Sequence, residues 1–336
     1  PFDMYQVDYK PGVKLYVKRV FITDDEKELM PPYLRFLRGV IDSEDLPLNV
    51  SREILQQNRI LNNIKSSSVK KILGEFEKMA EKEPEKYEQF IEQYNRPLKE
   101  GIYSDFTNRE TLLELVRFKS TKVDGYTSFS EYKKRMQPGQ KAIYYISGDN
   151  EARLRHSPLL EAYKKKDIEV LIMDDEVDEL VIPTIGQYAE TDLKSVNRSD
   201  AGEDLKEKKD EKKEEELKPV LEKIKNALGD RVKDVVSSIR LSESPSCIVV
   251  DENDPTMKIQ QMMKALGQAD LPEVKPILEI NPDHAIVTRL KASEDDAVIN
   301  DISQLLLEQA MLVEGMQLKD PAEFVSRMNR YLEKAV

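Results

Sequence analysis

The sequence predicts a multidomain protein of the α/β (α+β) class, and three observations lead to this prediction. The chain has 336 residues, which is enough for two or three domains. Residues 142–146 and 168–173 are short apolar runs of strand length, with a helix-start signal between them. Elsewhere apolar residues recur at the i, i+3, i+4, i+7 spacing of amphipathic helices. Strands and helices should therefore alternate along much of the chain.

The first elements are predicted to be a strand followed by helices. Residues 13–17 alternate between apolar and polar side chains, as in a strand with one solvated face. A helix is expected after the proline pair at 31–32, with the apolar residues of 34–41 on one side. From Arg52 to about Tyr94 the pattern is strongly helical, and Pro84 should interrupt it or start the next helix.

A second α/β region is predicted over residues 126–188. Its two apolar runs read as buried strands, and Ser157-Pro158 is a helix start with serine as the N-cap and proline at the first helical position. A strand, helix and strand in this order favour a right-handed crossover and parallel pairing of the strands.

A run of charged residues suggests a domain boundary. Residues 203–218 hold many acids and bases, and most of their i, i+4 pairs carry like charges, which destabilise an isolated helix. A solvated, mobile linker is therefore expected. The predicted division is a middle domain at 1–196 (large α/β unit 1–100, helical connector 101–125, small α/β unit 126–196), a charged linker at 197–216, and a C-terminal domain at 217–336.

The last third is predicted to mix helices and strands and to end in a helix pair. Strands are expected at 247–250 and 285–287. The first closing helix should stop at Gly315. The second should start at Asp320-Pro321, where a capping-box arrangement precedes an apolar stripe.

Composition narrows the class of protein. The formal net charge of −12 argues against a surface for nucleic acid or anionic membranes. No apolar run approaches the ~18 residues of a membrane span. A lone cysteine, Cys247, fits a reducing compartment, so we expect a cytoplasmic protein. The acids of 174–179 could bind a hard cation, but a solvated loop is the commoner explanation, and no metal site is predicted.

The segment 42–57 places Arg52 at the start of a long helix, after an acidic loop and a proline turn. A cation there opposes the helix dipole, whereas an anion is favoured because free backbone N–H groups point outward. An arginine beside bound phosphate could act as an arginine finger. Pairing with Asp42, Glu44 or Asp45 is the alternative, and the residues alone leave both open.

Several stretches of the chain closely resemble the heat shock protein 90 family in its bacterial form. The matches follow one order from end to end: Pro1-Phe-Asp-Met4, Val13-Lys-Leu-Tyr-Val17, Arg19-Val-Phe-Ile22, Asp45 to Gln56, Ile143-Tyr-Tyr-Ile146, Pro272-Glu-Val-Lys275 and Asn281-Pro-Asp-His284. The resemblance implies a fragment that begins just inside the middle domain, lacks the N-terminal ATPase domain, and ends in a dimerisation domain. It implies an ATP-dependent chaperone.

The resemblance also implies roles for residues near the start of the chain. Arg52 would contact the terminal phosphate of ATP, with Gln56 and Asn49 supporting its loop. ATP and Mg2+ would be bound by the missing domain, so no cofactor is expected in this fragment and it should not hydrolyse ATP alone. Phe21 matches an aromatic residue that docks on that domain, although the residue type by itself favours a core position.

Client-binding residues are implied in two places. A short methionine-rich helix is predicted within residues 254–267. It would face unfolded clients, although clustered methionines more often fill a core. Leu180 and Pro183 depart from the family pattern, which has a tryptophan and an asparagine there. The implied client contacts are Leu180, Val181, Ile182, Met257, Met262, Met263 and Leu266.

The closing helices resemble the dimerisation element of the family, although two such helices could equally pack on their own domain. The expected partners are a second copy of the chain and unfolded or partly folded proteins. Other chaperones are a further possible class of partner. Two other functions stay open: a metal-dependent α/β hydrolase using the acids of 174–179, and a passive dimerisation scaffold. The implied dimer contacts are Ile302, Leu306, Phe324, Met328 and Leu332.

Overall fold

The structure is a computed structural model that describes residues 12–23, 29–46, 59–205, 211–256, 259–260, 263 and 273–335. The described residues form two compact units. The first lies within Pro1–Phe118 and Gly125–Glu131, and the second within Lys119–Asp124 and Tyr132–Val336. Strands and helices are mixed in both, which confirms the predicted α/β class. The predicted domain boundaries and linker stay predictions.

The helices and strands have the following bounds. The described α-helices are α1 Arg59–Lys82, α2 Pro84–Ser104, α3 Arg109–Leu115, α4 Phe129–Arg135, α5 Glu151–Arg155, α6 Glu161–Lys165, α7 Asp178–Val181, α8 Glu211–Leu228, α9 Ala285–Lys291, α10 Asp296–Val313 and α11 Pro321–Ala335. The described strands are β1 Gly12–Val17, β2 Val20–Thr23, β3 Arg38–Ser43, β4 Lys119–Ser120, β5 Ala142–Ser147, β6 Val170–Met173, β7 Gln187–Tyr188, β8 Thr191–Ser195, β9 Asp234–Ser237, β10 Ser246–Val249 and β11 Ile277–Ile280. No described helix is both long and apolar enough to cross a membrane.

The first unit contains a three-stranded sheet in the order β2-β1-β3. Strands β1 and β2 form a tight hairpin in which Lys18 and Arg19 both have positive φ, the conformation that matches the twist of paired strands. Strand β3 runs parallel to β1. The helix expected over 34–41 is therefore wrong: only Pro32–Leu34 form a 3-10 turn. Gly39 disfavours a helix, and the β-branched Val40 and Ile41 favour the extended conformation.

The helices of the first unit pack through aromatic rings. Pro84 stands at the first position of α2, which confirms the predicted break after α1. The ring of Phe36 stacks on Tyr94 with centroids 4.3 Å apart, and Phe76 contacts Phe90 at 4.6 Å. Contacts of this kind stabilise the pairing of α1 and α2 beyond the area they bury.

The second unit contains a five-stranded sheet in the order β4-β6-β5-β8-β7. Strand β5 pairs in parallel with β6 on one side and with β8 on the other. This confirms the predicted parallel pairing. The predicted helix start is also confirmed, because the Ser157 side chain accepts a hydrogen bond from the N–H of Leu159.

A second sheet of this unit has the order β10-β11-β9 and packs against α8 and α10. The predicted strand at 285–287 is wrong, because these residues begin helix α9. The ring of His284 caps this helix by accepting from the N–H of Ile286. The periodicity of a short apolar run does not distinguish a strand from a buried helix, and here the His284 cap favours the helix.

One buried arginine ties the chain that follows β8 to this second sheet. Arg240 is 1% exposed and donates to the carbonyl oxygens of Val196 at 2.8 Å and Arg198 at 3.1 Å. Its charge is balanced by Glu279, whose carboxylate lies 3.1 Å away. A planar, forked side chain suits this position because it can serve several acceptors at once.

Candidate functional site

Several of the predicted site residues lie outside the described residues. These are the proposed ATP-contacting group and most of the methionine-rich helix: Asn49, Arg52, Gln56, Met257, Met262 and Leu266. Their predicted roles stay predictions. Met263 is described and is partly buried.

Phe21 lies on β2, at the edge of the first sheet, and is 47% exposed. Its ring meets the edge of Tyr16 with centroids 5.6 Å apart. The core position favoured by the residue type is therefore wrong. Val20 beside it is also exposed. Neighbouring exposed apolar groups on a sheet edge form a surface that could contact another domain.

The three residues expected to contact clients near β6 differ in accessibility. Leu180 is 45% exposed, whereas Val181 is 2% and Ile182 is 0% exposed. Val181 and Ile182 therefore contribute to the packing of the second unit. Leu180 is the one of the three that another protein can reach in this conformation.

The acids that follow β6 have separate partners. Asp174 is paired with Lys119 at 2.7 Å, and Glu179 accepts a hydrogen bond of 2.8 Å from the hydroxyl of Thr256. Within the described ranges, no group of three or more histidine, cysteine or acidic side chains is arranged to hold a metal ion. The geometry gives no support to a hydrolytic metal centre at this loop.

Helix α11 packs on α10 through arginines. Arg327 donates to Glu308 at 2.9 Å, and Arg330 donates to Asp301 at 2.7 Å. Glu308 is also paired with Arg231 at 3.0 Å. Glu308 and Asp301 are largely buried, so these contacts are protected from solvent and fix which side of α11 faces its own chain.

The opposite side of α11 presents an apolar stripe. Val325, Met328 and Leu332 are 45%, 38% and 53% exposed, and we call these three residues the C-terminal stripe. Of the other predicted dimer contacts, Phe324 and Ile302 are partly buried, whereas Leu306 is 1% exposed and belongs to the core of its own unit. Leu306 is therefore inaccessible to a partner in this conformation.

The sequence-based prediction missed Val325, although a signal was present. Val325 stands three residues before Met328 and seven before Leu332, the spacing of one helix face. Exposed apolar residues aligned on one face of this 15-residue helix form a surface that could pack against another helix.

Comparison with known proteins gives one consistent result. The family model described as Hsp90 protein matches residues 1–336. The chaperone protein HtpG of Treponema denticola is 61% identical over 340 residues, covering 99% of this chain and 53% of the relative. The HtpG proteins of Treponema pallidum and Wolinella succinogenes are 55% and 54% identical, covering 99% and 100% of this chain and 54% and 55% of the relatives. The chain spans about half the length of the curated relatives it matches.

Proposed function

The chain belongs to the Hsp90 family, and from that premise we propose that it forms the client-binding and dimerising part of an ATP-driven chaperone. The match of the family model to residues 1–336 carries this proposal. The full-length protein would act in the cytoplasm and would bind unfolded or partly folded proteins. A second copy of the chain is the first partner we expect.

The C-terminal stripe supports the dimer. The arginine contacts to Glu308 and Asp301 turn the polar side of α11 inward and leave the stripe outward. Two copies could bury these stripes against each other in a symmetric helix bundle, because a two-fold axis brings the same surface of both chains together.

The dimer is tested by Met328→Asp. A carboxylate at the centre of the interface would have no partner when buried, so we expect the variant to be monomeric at concentrations where the unmodified chain is dimeric. Sedimentation equilibrium gives the mass. The matched control is Ser326→Asp, which adds the same charge to an exposed position off the stripe.

The control variant should keep the dimer mass. A dimeric Met328→Asp variant, or a monomeric unmodified chain, would remove the C-terminal stripe from the proposal. Circular dichroism of both variants separates the loss of association from a loss of folding.

For ATP hydrolysis we propose that Arg52 completes a site whose nucleotide and Mg2+ are held by a domain outside this chain. A cation placed near the terminal phosphate stabilises the charge that develops during phosphoryl transfer. Gln56 and Asn49 would support its loop, and the exposed Phe21 would contact the nucleotide-binding domain.

The prediction for Arg52→Ala is made in a chain that carries the nucleotide-binding domain. We expect ATP turnover to fall by about tenfold or more, with nucleotide affinity changed by less than about threefold, because the arginine acts mainly in the transition state. Steady-state turnover and equilibrium nucleotide binding measure the two effects. Unchanged turnover would contradict a role for Arg52.

A further inference from the structure

A cavity of about 160 Å³ lies inside the second unit, at the carboxyl ends of β5 and β8. Ser147 and Gly148 line it where β5 ends, and Asn197 lines it just after β8. The backbone N–H of Ser147 donates to the side-chain oxygen of Asn197 at 3.2 Å. This hydrogen bond joins the ends of the two strands, and the amide nitrogen of Asn197 donates to the Glu314 carboxylate at 3.4 Å.

The cavity lies at a place in the sheet where other folds with parallel strands bind ligands. From β5 the chain passes to β6 on one side, and it then crosses to β8 on the other side of β5. The strand order therefore changes direction at β5, and the carboxyl ends of β5 and β8 stand at a topological switch point. Open parallel sheets bind small molecules at such a switch point.

The walls of the cavity combine carboxylates with apolar groups. Glu179, which is 7% exposed, and Glu314 both line it, and Asp149 stands at its edge. Apolar side chains, among them Val249 and Met316, complete the lining. Few ligands suit both kinds of surface. A compact anion would be repelled, and a purely apolar molecule would leave the carboxylates without solvent.

The electrostatics of the cavity favour a cation. Burial raises the pKa of the Glu314 carboxyl to about 7, and the charge of Glu179 also raises it. The hydrogen bond from Asn197 lowers the pKa but does not outweigh burial. Arg153 opposes this rise. Two acidic side chains therefore share one small space, and a positive group between them would favour the ionised form of Glu314.

We propose that this cavity binds a small organic cation of the guanidinium or amidinium type. Such cations are planar, weakly hydrated and rich in donors, so they can pair with carboxylates and still lie against apolar walls. The size is suitable, since an engineered cavity of about 150 Å³ is known to take up benzene. A bare metal ion is a poorer fit, because the apolar half of the lining offers it no oxygen ligands.

The test is a titration of the full 336-residue chain, isotope-labelled at its methionine methyl groups, with ethylguanidinium. We expect saturable movement of the Met316 methyl resonance with a millimolar dissociation constant. Ethylurea has the same shape without the charge and should leave the resonance in place. Glu314→Gln and Glu179→Gln should each weaken binding by about tenfold or more, the loss of one charge-assisted hydrogen bond.

The matched control is Glu176→Gln. Glu176 is an exposed acid in the loop between β6 and α7, and this variant should bind ethylguanidinium as the unmodified chain does.

The other charged groups near Glu314 are Glu179 on α7, Arg153 on α5 and Asp149 after β5. Since Glu314 takes up a proton as the pH falls from 8 to 6, binding should weaken over that range and Glu314→Gln should abolish the trend. Equal affinity for ethylurea, or unchanged affinity in both cavity variants, would overturn the proposal.

Discussion

Glu161 shows how a single carboxylate can hold a loop. Its two oxygens accept from the backbone N–H groups of Ser242 and Glu243 at 2.7 Å and of Ser244 at 3.1 Å, and from the Ser244 hydroxyl at 2.5 Å. Burial alone would raise the pKa of this carboxyl, but the donors outweigh it and hold the pKa below its usual value. The ionised form therefore stabilises the folded chain.

The pH dependence of Glu161→Gln follows from this direction. Because the pKa is lower in the folded state, the stabilisation is fully present above the unfolded pKa and is lost as the pH falls through the folded one. We expect the substitution to cost about 1–2 kcal/mol near pH 7. The cost should shrink on acidification below about pH 4.5.

Urea unfolding of both chains at a series of pH values measures the difference. Glu243→Gln is the control, because Glu243 lies in the same loop but its side chain is exposed. A cost that stayed constant down to pH 3 would show that the charge of Glu161 is not what holds the loop.

At the scale of the element, the close approach of α2 to the Pro32–Leu34 turn depends on a glycine. A Cβ at Gly101 would lie 2.7 Å from Cγ of the Tyr33 ring and 3.0 Å from a methyl carbon of Leu112. Both neighbours are fully buried, so neither can move aside without disturbing the core of the first unit.

Gly101→Ala should therefore lower the free energy of unfolding by about 1–3 kcal/mol. Gly74→Ala is the matched control in α1, where the added Cβ would meet no atom closer than 4.0 Å. That substitution should raise stability by about 0.5–1 kcal/mol, because alanine is the better helix former. Urea unfolding followed by circular dichroism compares the two, and equal effects would contradict the packing argument.

The elements that the sequence predicted correctly share a long pattern or a distinct boundary signal. The break at Pro84 and the capped start at Ser157 were found from residue type and spacing. The errors at 34–41 and 285–287 both concern short stretches with a few apolar residues. Pairing with β1 decides the first, and the His284 cap decides the second. The pairing with β1 is set by tertiary structure, which periodicity does not encode, whereas the His284 cap is a local signal that the prediction did not use.

At the scale of the whole molecule, residue patterns predicted part of one surface, and the predicted roles stay predictions. The apolar spacing of α11 indicated Met328 and Leu332 of the C-terminal stripe but not Val325, whereas the roles of Arg52, Phe21 and the methionine-rich helix came from resemblance alone. The cavity in the second unit escaped prediction for a physical reason. Glu179 and Asn197 lie at the two ends of the chain's crossing from β6 to β8, whereas Glu314 follows α10, so no short sequence pattern joins the three.

The central claim, that this chain itself binds unfolded proteins, is tested most directly by fluorescence anisotropy. A labelled, permanently unfolded protein is titrated with the chain and with a Met262→Ser/Met263→Ser variant, and a stably folded protein of similar size with the same label is the control. We expect saturable binding of the unfolded protein, and we expect the double substitution to weaken it about tenfold or more because it removes apolar contact area. Absence of binding, or equal binding by both chains, would contradict it and leave a dimerising scaffold.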